Sequence, residues 1–302
     1  MKLSLCTGEL ELRFGFERAF EMIKNAGFDA LDFNIDGYWR GEAEKLKEMR
    51  CYGMTEDEMR EYYSKICGYA QTYGLEVGQT HSMFGVTPFF NDRESYEKII
   101  KKNIFETHLL GCRRTVVHPI KTPPRIFDEG YDECYKMNLE FYRSLIPTLE
   151  KYDVKAAIEP MYTYDAERNV RPTVCSRPEE ILSYINDLGS DRFCSCPDLG
   201  HLQLVSLDTG NTVGDALRKL GGTVEIIHAH EVTKNLDAHT KPYTYGGMDW
   251  NDIGKALSDI GYRGNFNFEI GNNYFALYPD ELIPEALRHL AEIGRYIIGS
   301  HS

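Results

Sequence analysis

The 302-residue sequence predicts a single (β/α)8 (TIM) barrel, an α/β fold spanning residues 1–302 with long loops after the strands. Three observations carry this reading. Helical segments end repeatedly on a glycine that is followed at once by a short β-rich run. Eight such runs alternate with segments of helical periodicity, and most of the spare chain length falls after strands rather than before them. A glycine at the position after a helix adopts the left-handed conformation that closes it, so each of these glycines marks an α-to-β junction. Gly27 and Gly74 are the clearest, and Gly111, Gly189, Gly222 and Gly261 repeat the pattern.

Taken in order, the strands are predicted near 2–6, 28–34, 75–81, 113–118, 154–159, 192–197, 223–228 and 264–270. Between them, Ser95–Leu110 and Glu133–Glu150 carry apolar residues at three- and four-residue spacing, as a helix packing one face requires. Thr55 to Glu58 and Ser176 to Glu179 read as capping boxes that start helices. Strict alternation implies a parallel sheet with right-handed crossovers, and eight units close into a barrel. The connections 35–54, 119–131, 160–175, 198–212 and 229–248 are long, and they lie on the face where such barrels build their sites.

Composition narrows the function. A 42% apolar and 27% charged chain with no long apolar run is not a membrane protein. The N-terminus is too quickly polar for an export signal, so the cytoplasm is the expected compartment. Eight cysteines form no CxxC pair and read as buried thiols; Cys194 and Cys196, two apart on one strand, share a core-facing side. A net charge of −13 disfavours nucleic acid, whose affinity rests on Lys and Arg. Nothing in the pattern decides between a monomer and a homo-oligomer.

Histidines and acids gather at the predicted strand ends. His81, His118 and His228 end strands three, four and seven, and His201, His230 and His239 follow strand ends closely. Glu159, Asp198 and Glu269 end strands five, six and eight between residues that favour burial. A carboxylate buried in an apolar barrel mouth is costly without a cation. Glu159, Asp198, His228 and Glu269 thus come one from each of four neighbouring strands and aim at a common point. Three carboxylates and an imidazole suit one divalent metal ion, Mn2+, Mg2+, Co2+ or Zn2+.

With these residues in place, the chain resembles the xylose-isomerase-like barrel superfamily, which holds sugar and sugar-phosphate isomerases and epimerases, a dehydratase and the abasic-site endonucleases. The resemblance rests on Asp198-Leu-Gly-His201, His228-Ala-His-Glu231, Gly246-Gly-Met-Asp249-Trp250 and Glu269. It implies that Glu159, Asp198, His228 and Glu269 bind the catalytic metal, with Glu159 and Glu269 as the catalytic acid/base pair. By this alignment His228 rather than His230 is the ligand, because an acid, here Glu231, follows it by three. The expected activity is isomerisation or epimerisation of a sugar or sugar phosphate by proton abstraction and return. Glu159-Pro160-Met161 lacks the lysine of hydride-shift isomerases, which favours proton transfer. A dehydratase of a keto-sugar or cyclitol would use the same first step. An abasic-site-endonuclease-like hydrolase would use further Zn2+, for which His81, His118, His201, Asp237 and His239 supply counterparts; otherwise these residues bind substrate. A barrel that binds sugar without catalysis is the fourth reading.

Lesser candidates accompany these. Tyr38, Trp39, Phe84 and Trp250 could stack on a sugar ring, although Trp250 beside Asp249 reads as packing at a helix start. Lys121, Arg125, Arg168, Arg171, Lys234 and Lys241 sit on loops of the same face and could hold an acid group. Gly246-Gly247 lacks a P-loop pattern and reads as a turn.

Overall fold

A computed structural model describes residues 1–35, 49–83, 93–120, 130–270 and 274–300. The chain opens with β1 (Lys2–Cys6), α1 (Gly8–Phe14), α2 (Phe16–Asn25) and β2 (Ala30–Asn34). It continues with α3 (Glu56–Thr72), β3 (Glu76–His81), α4 (Arg93–Leu109), β4 (Arg114–Val117), α5 (Tyr131–Tyr152) and β5 (Lys155–Ile158). A hairpin of β6 (Tyr162–Tyr164) and β7 (Val170–Pro172) precedes α6 (Pro178–Leu188), β8 (Phe193–Ser195), α7 (Leu199–Leu204), α8 (Ser206–Thr209) and α9 (Val213–Leu220). A second hairpin, β9 (Glu231–Thr233) and β10 (Leu236–Thr240), leads to α10 (Trp250–Asp259), β11 (Asn265–Phe268) and α11 (Ile283–Gly299).

The large sheet is parallel throughout, in the order β11-β1-β2-β3-β4-β5-β8. The predicted seventh strand, 223–228, is not a continuous ladder. Single bridges join Val224 to Ser195, His228 to Asp198 and Ala229 to Phe268, and these close the ring between β8 and β11. The interruption has a local cause: Pro197 lacks an N–H, so it can only accept, and it does so from the His228 amide at 3.2 Å. Inside the ring Val116, Ala157, Cys194, Cys196 and Ile226 form an enclosed apolar cluster, as the two-residue spacing of the cysteines predicts. All eight cysteines are free thiols.

Two readings of local sequence need correction. Thr55 and Glu58 do form a reciprocal capping box at α3. Ser176 and Glu179 do not: α6 starts at Pro178 with Arg177 as its cap, and Ser176 Oγ accepts from the Thr173 amide and donates to the Met161 carbonyl instead. Proline at the first helical position already suits that end, which removes one unpaired N–H. An unforeseen box appears at α9, where Thr212 and Asp215 cap each other. The connections 160–175 and 229–248, read as loops, contain the two antiparallel hairpins. Tyr38, Trp39, Phe84, Lys121 and Arg125 lie outside the described residues.

Candidate metal centre

The strand ends bring Glu159, Asp198, His228 and Glu269 together, each offering a donor atom within 4.8 Å of the others. Nδ1 of His228 is the hub. It lies 3.4 Å from Glu159 Oε1, 3.3 Å from Glu269 Oε2 and 3.8 Å from Asp198 Oδ2. The His228 ring is wholly buried, whereas the Glu269 side chain keeps 13% exposure toward the barrel mouth. Glu159 accepts a hydrogen bond from His118 Nε2 at 2.9 Å. His81 Nε2 lies 3.6 Å from Glu159 and 3.9 Å from Glu269, so both upstream histidines border the Glu159 carboxylate.

A second cluster adjoins the first, made by His201, His230, Asp237 and His239. Oδ2 of Asp237 accepts from His201 Nε2 at 3.2 Å, His239 Nε2 at 3.0 Å and the Tyr162 hydroxyl at 3.2 Å. His201 also places Nδ1 2.9 Å from the Pro160 carbonyl, so both its nitrogens face protein groups. His230 joins the clusters: Nε2 stands 3.0 Å from each oxygen of Asp198, and its ring stacks on His239 with centroids 4.0 Å apart. The hairpin β9–β10 delivers Asp237 and His239, with His239 at a φ of 42°, in the left-handed region few side chains adopt.

Local sequence explains the placement. Asp198 caps α7 by accepting from the His201 amide at 2.6 Å, which holds its carboxylate at the rim. Gly200 leaves room for the His230 ring: a Cβ there would meet His230 Cε1 at 2.1 Å. The motif Asp198-Leu-Gly-His201 thus contributes one donor, one vacated space and a second donor. Glu231 is buried and accepts from the backbone amides of Thr244, Tyr245 and Gly247 and from Trp250 Nε1. It anchors the loop before α10, in which Gly246, at a φ of 70°, makes the turn. Trp250 packs at a helix start, with Asp249 capping α10. Arg171 pairs with Asp165 and Asp208.

Electrostatics follow from the crowding. Burial alone would raise Glu159, yet His118 and His228 hold it well below the usual carboxylate range. Burial opposes Glu269 likewise, and His228 and His239 outweigh it, so this carboxyl too is lowered. Burial would lower the histidines, but the acids prevail. His201, facing Asp198 and Asp237, and His239, facing Asp237, each rise to about 10. His228 rises well above its ordinary value through Cys196, Glu269 and Glu159. Imidazolium protons thereby supply the positive charge that these acids require.

The donor chemistry fits divalent cations. In the first group three carboxylates and one imidazole form an oxygen-rich set. In the second, Nδ1 of His230 and Oδ1 of Asp237 face each other at 3.7 Å, and both are buried without a hydrogen-bond partner. Buried polar atoms are rarely left so; a cation between them would satisfy both. Sequence reasoning assigned no role to His230, although its spacing of two from His228 was the available signal.

Comparison with known proteins agrees with this architecture. Residues 20–293 match the family described as the xylose isomerase-like TIM barrel. A D-psicose 3-epimerase of Enterocloster bolteae is 22% identical over 257 residues, covering 82% of this chain and 74% of the relative. A mannonate dehydratase of Brachyspira hyodysenteriae is 32% identical over 152 residues, 46% of this chain and 40% of the relative. The crystal structure of a D-psicose 3-epimerase in the presence of D-fructose superposes with a TM-score of 0.71 at 14% identity, over 99% of this chain and 100% of that one. By its fold and this match, the chain belongs to the xylose isomerase-like TIM barrel family.

Proposed function

We propose that this protein is a divalent-metal-dependent isomerase or epimerase of a sugar or sugar phosphate, working in the cytoplasm as one barrel domain. The observation that carries the reading is the convergence of Glu159, Asp198, His228 and Glu269 from four consecutive staves. A divalent cation held by these four residues would polarise a substrate carbonyl and its neighbouring hydroxyl and so acidify the adjacent C–H. Glu159 and Glu269 are the acid/base pair. One carboxylate removes the proton from that carbon, and the other returns a proton to it. The carboxylate that removes the proton enters ionised and the one that returns a proton enters protonated, so the two exchange states in each turnover. His118, bonded to Glu159, orients it. The likeness to a D-psicose 3-epimerase supports a ketose as substrate.

The test is incubation of the protein, reconstituted separately with Mn2+, Mg2+, Co2+ or Zn2+, with ketoses and their phosphates in D2O. Deuterium entering one carbon-bound position with otherwise conserved product mass is expected. A protein that binds sugar but exchanges no deuterium into any of them would overturn the catalytic reading.

Two further readings have their own support. The likeness of part of the chain to a mannonate dehydratase favours loss of water after the same proton abstraction, which product mass distinguishes. The second cluster favours an additional Zn2+ and a multi-metal hydrolase. Metal analysis bears on this: one ion per chain supports sugar chemistry alone, and cleavage of an abasic oligonucleotide at physiological salt would favour the hydrolase.

A further inference from the structure

Asp32 lies on β2, fully buried inside the barrel beneath the metal centre. Aspartate is almost never fully buried unless paired. Among the described residues its ion-pair partner is His228, whose buried Nε2 lies 3.4 Å from Asp32 Oδ2 and makes no hydrogen bond, so this carboxylate oxygen is the group it faces. The same oxygen accepts from Gln79 Nε2 at 3.2 Å and from Asn267 Nδ2 at 2.8 Å. Asn267 is itself oriented, because its Oδ1 accepts from Ser4 Oγ at 2.8 Å, which turns its amide N–H toward Asp32. Residues from β1, β2, β3 and β11 thus build a small polar layer in the barrel axis. It holds one carboxylate oxygen against one imidazole nitrogen.

We propose that Asp32 is a positioning residue of the metal centre: by accepting the Nε2 proton of His228, it commits Nδ1 of that ring to the cation. This rests on the metal-binding reading above. Asp32 Oδ2 already accepts from two amide N–H groups, so it faces His228 as an acceptor and the nitrogen facing it carries the proton. In the neutral imidazole the lone pair is then on Nδ1, the atom already turned toward Glu159, Asp198 and Glu269. A carboxylate behind a ligating histidine fixes both tautomer and ring orientation, and its loss typically weakens metal binding roughly 10- to 100-fold. A purely structural role in the barrel core would leave the tautomer and the metal affinity unmoved.

The experiment uses the 15N-labelled, Zn2+-loaded full chain. Long-range 1H–15N spectra of the histidine rings, assigned with a His228→Gln variant, report which nitrogen of His228 carries the proton. Nε2–H with Nδ1 on the metal is expected. The reverse tautomer in the wild-type protein overturns the proposal without any Asp32 variant, while leaving the metal reading intact. A wild-type chain that takes up no Zn2+ overturns both. Competition with a chelator then compares wild type with Asp32→Asn and Asp32→Ala, each checked for folding by circular dichroism. The isosteric Asn variant can turn its amide N–H toward His228 and admit the other tautomer. It should bind Zn2+ roughly 10- to 100-fold more weakly. An unchanged Kd in a folded Asp32→Asn protein would sink the idea.

Discussion

Glu159 and Glu269 share the His228 imidazole but differ in surroundings: one is sealed behind His118, and the other looks toward the barrel mouth. Replacing either by Gln removes the proposed proton-transfer group and keeps the side-chain shape. Turnover should fall by about 10²- to 10⁴-fold, the usual contribution of a positioned acid or base. Metal content measured on the same samples separates lost proton transfer from lost ligation, and near-normal kcat in either variant would remove that residue from the pair. A different buried acid makes stability depend on pH. Burial raises Glu180 from 4.5 to about 8, against the lowering effects of the Cys175 amide and Arg177. The folded state therefore holds this proton more tightly than the unfolded chain does, and the contribution, fully present at low pH, is lost as pH rises from 4.5 toward 8. Glu180→Gln should raise Tm at pH 8.5 and change it little at pH 4.5; equal Tm shifts at the two pH values would contradict this.

Among the secondary-structure elements, buried polar anchors hold the loops around the site. Arg50 pairs with Glu11 of α1, donates from Nε to the Ile35 carbonyl at 2.8 Å, and lies 5.1 Å from the ring centres of both Phe16 and Phe33. It ties the chain after β2 to the first two helices. Arg50→Ala leaves the buried Glu11 carboxylate without its cation and should cost about 3 kcal/mol in urea unfolding. Lysine restores charge but not the planar fork, so Arg50→Lys should recover only part of this. Glu231 plays the same part for the loop before α10. Glu231→Ala leaves several donors unpaired, so the segment 241–249 should become the first site of limited proteolysis, whereas cleavage elsewhere at the wild-type rate and pattern would refute the anchoring role.

For the molecule as a whole, a divalent cation bound as proposed would be thermodynamically linked to the fold. The barrel mouth gathers carboxylates from staves that are far apart in sequence, and imidazolium protons offset them when no metal does. A metal that binds only the folded chain at roughly 1,000 times its Kd adds about 4 kcal/mol. In a chain of this size that corresponds to a Tm increase on the order of 8 °C. Dialysis against EDTA should reverse the increase and readdition of Mn2+ or Zn2+ restore it. The Glu159→Gln and Glu269→Gln proteins should gain much less from metal, and an equal gain in them would place the stabilising ion elsewhere.

The barrel and the clustering of Glu159, Asp198, His228 and Glu269 are legible in the amino-acid order alone, since both are written in local signals. Glycine after a helix has a backbone preference, the long polar connections mark where strands end, and a carboxylate between apolar residues declares an unusual site. Glu159, Asp198, His228 and Glu269 were readable because each ends its own strand. The remaining features depend on the closed fold, because they are contacts between distant segments. The broken seventh stave follows from Pro197 on its neighbour, and Asp237 and His239 arrive on a hairpin that local pattern reads as loop. Ser176 offered a helix-starting motif and was taken instead by the Met161 carbonyl. His230 acquires a role through Asp198 and the space left by Gly200, and Asp32 reaches His228 from 196 positions away along the chain. Hydrogen bonds and van der Waals exclusion act over a few ångströms, so such pairings exist only once the barrel has closed.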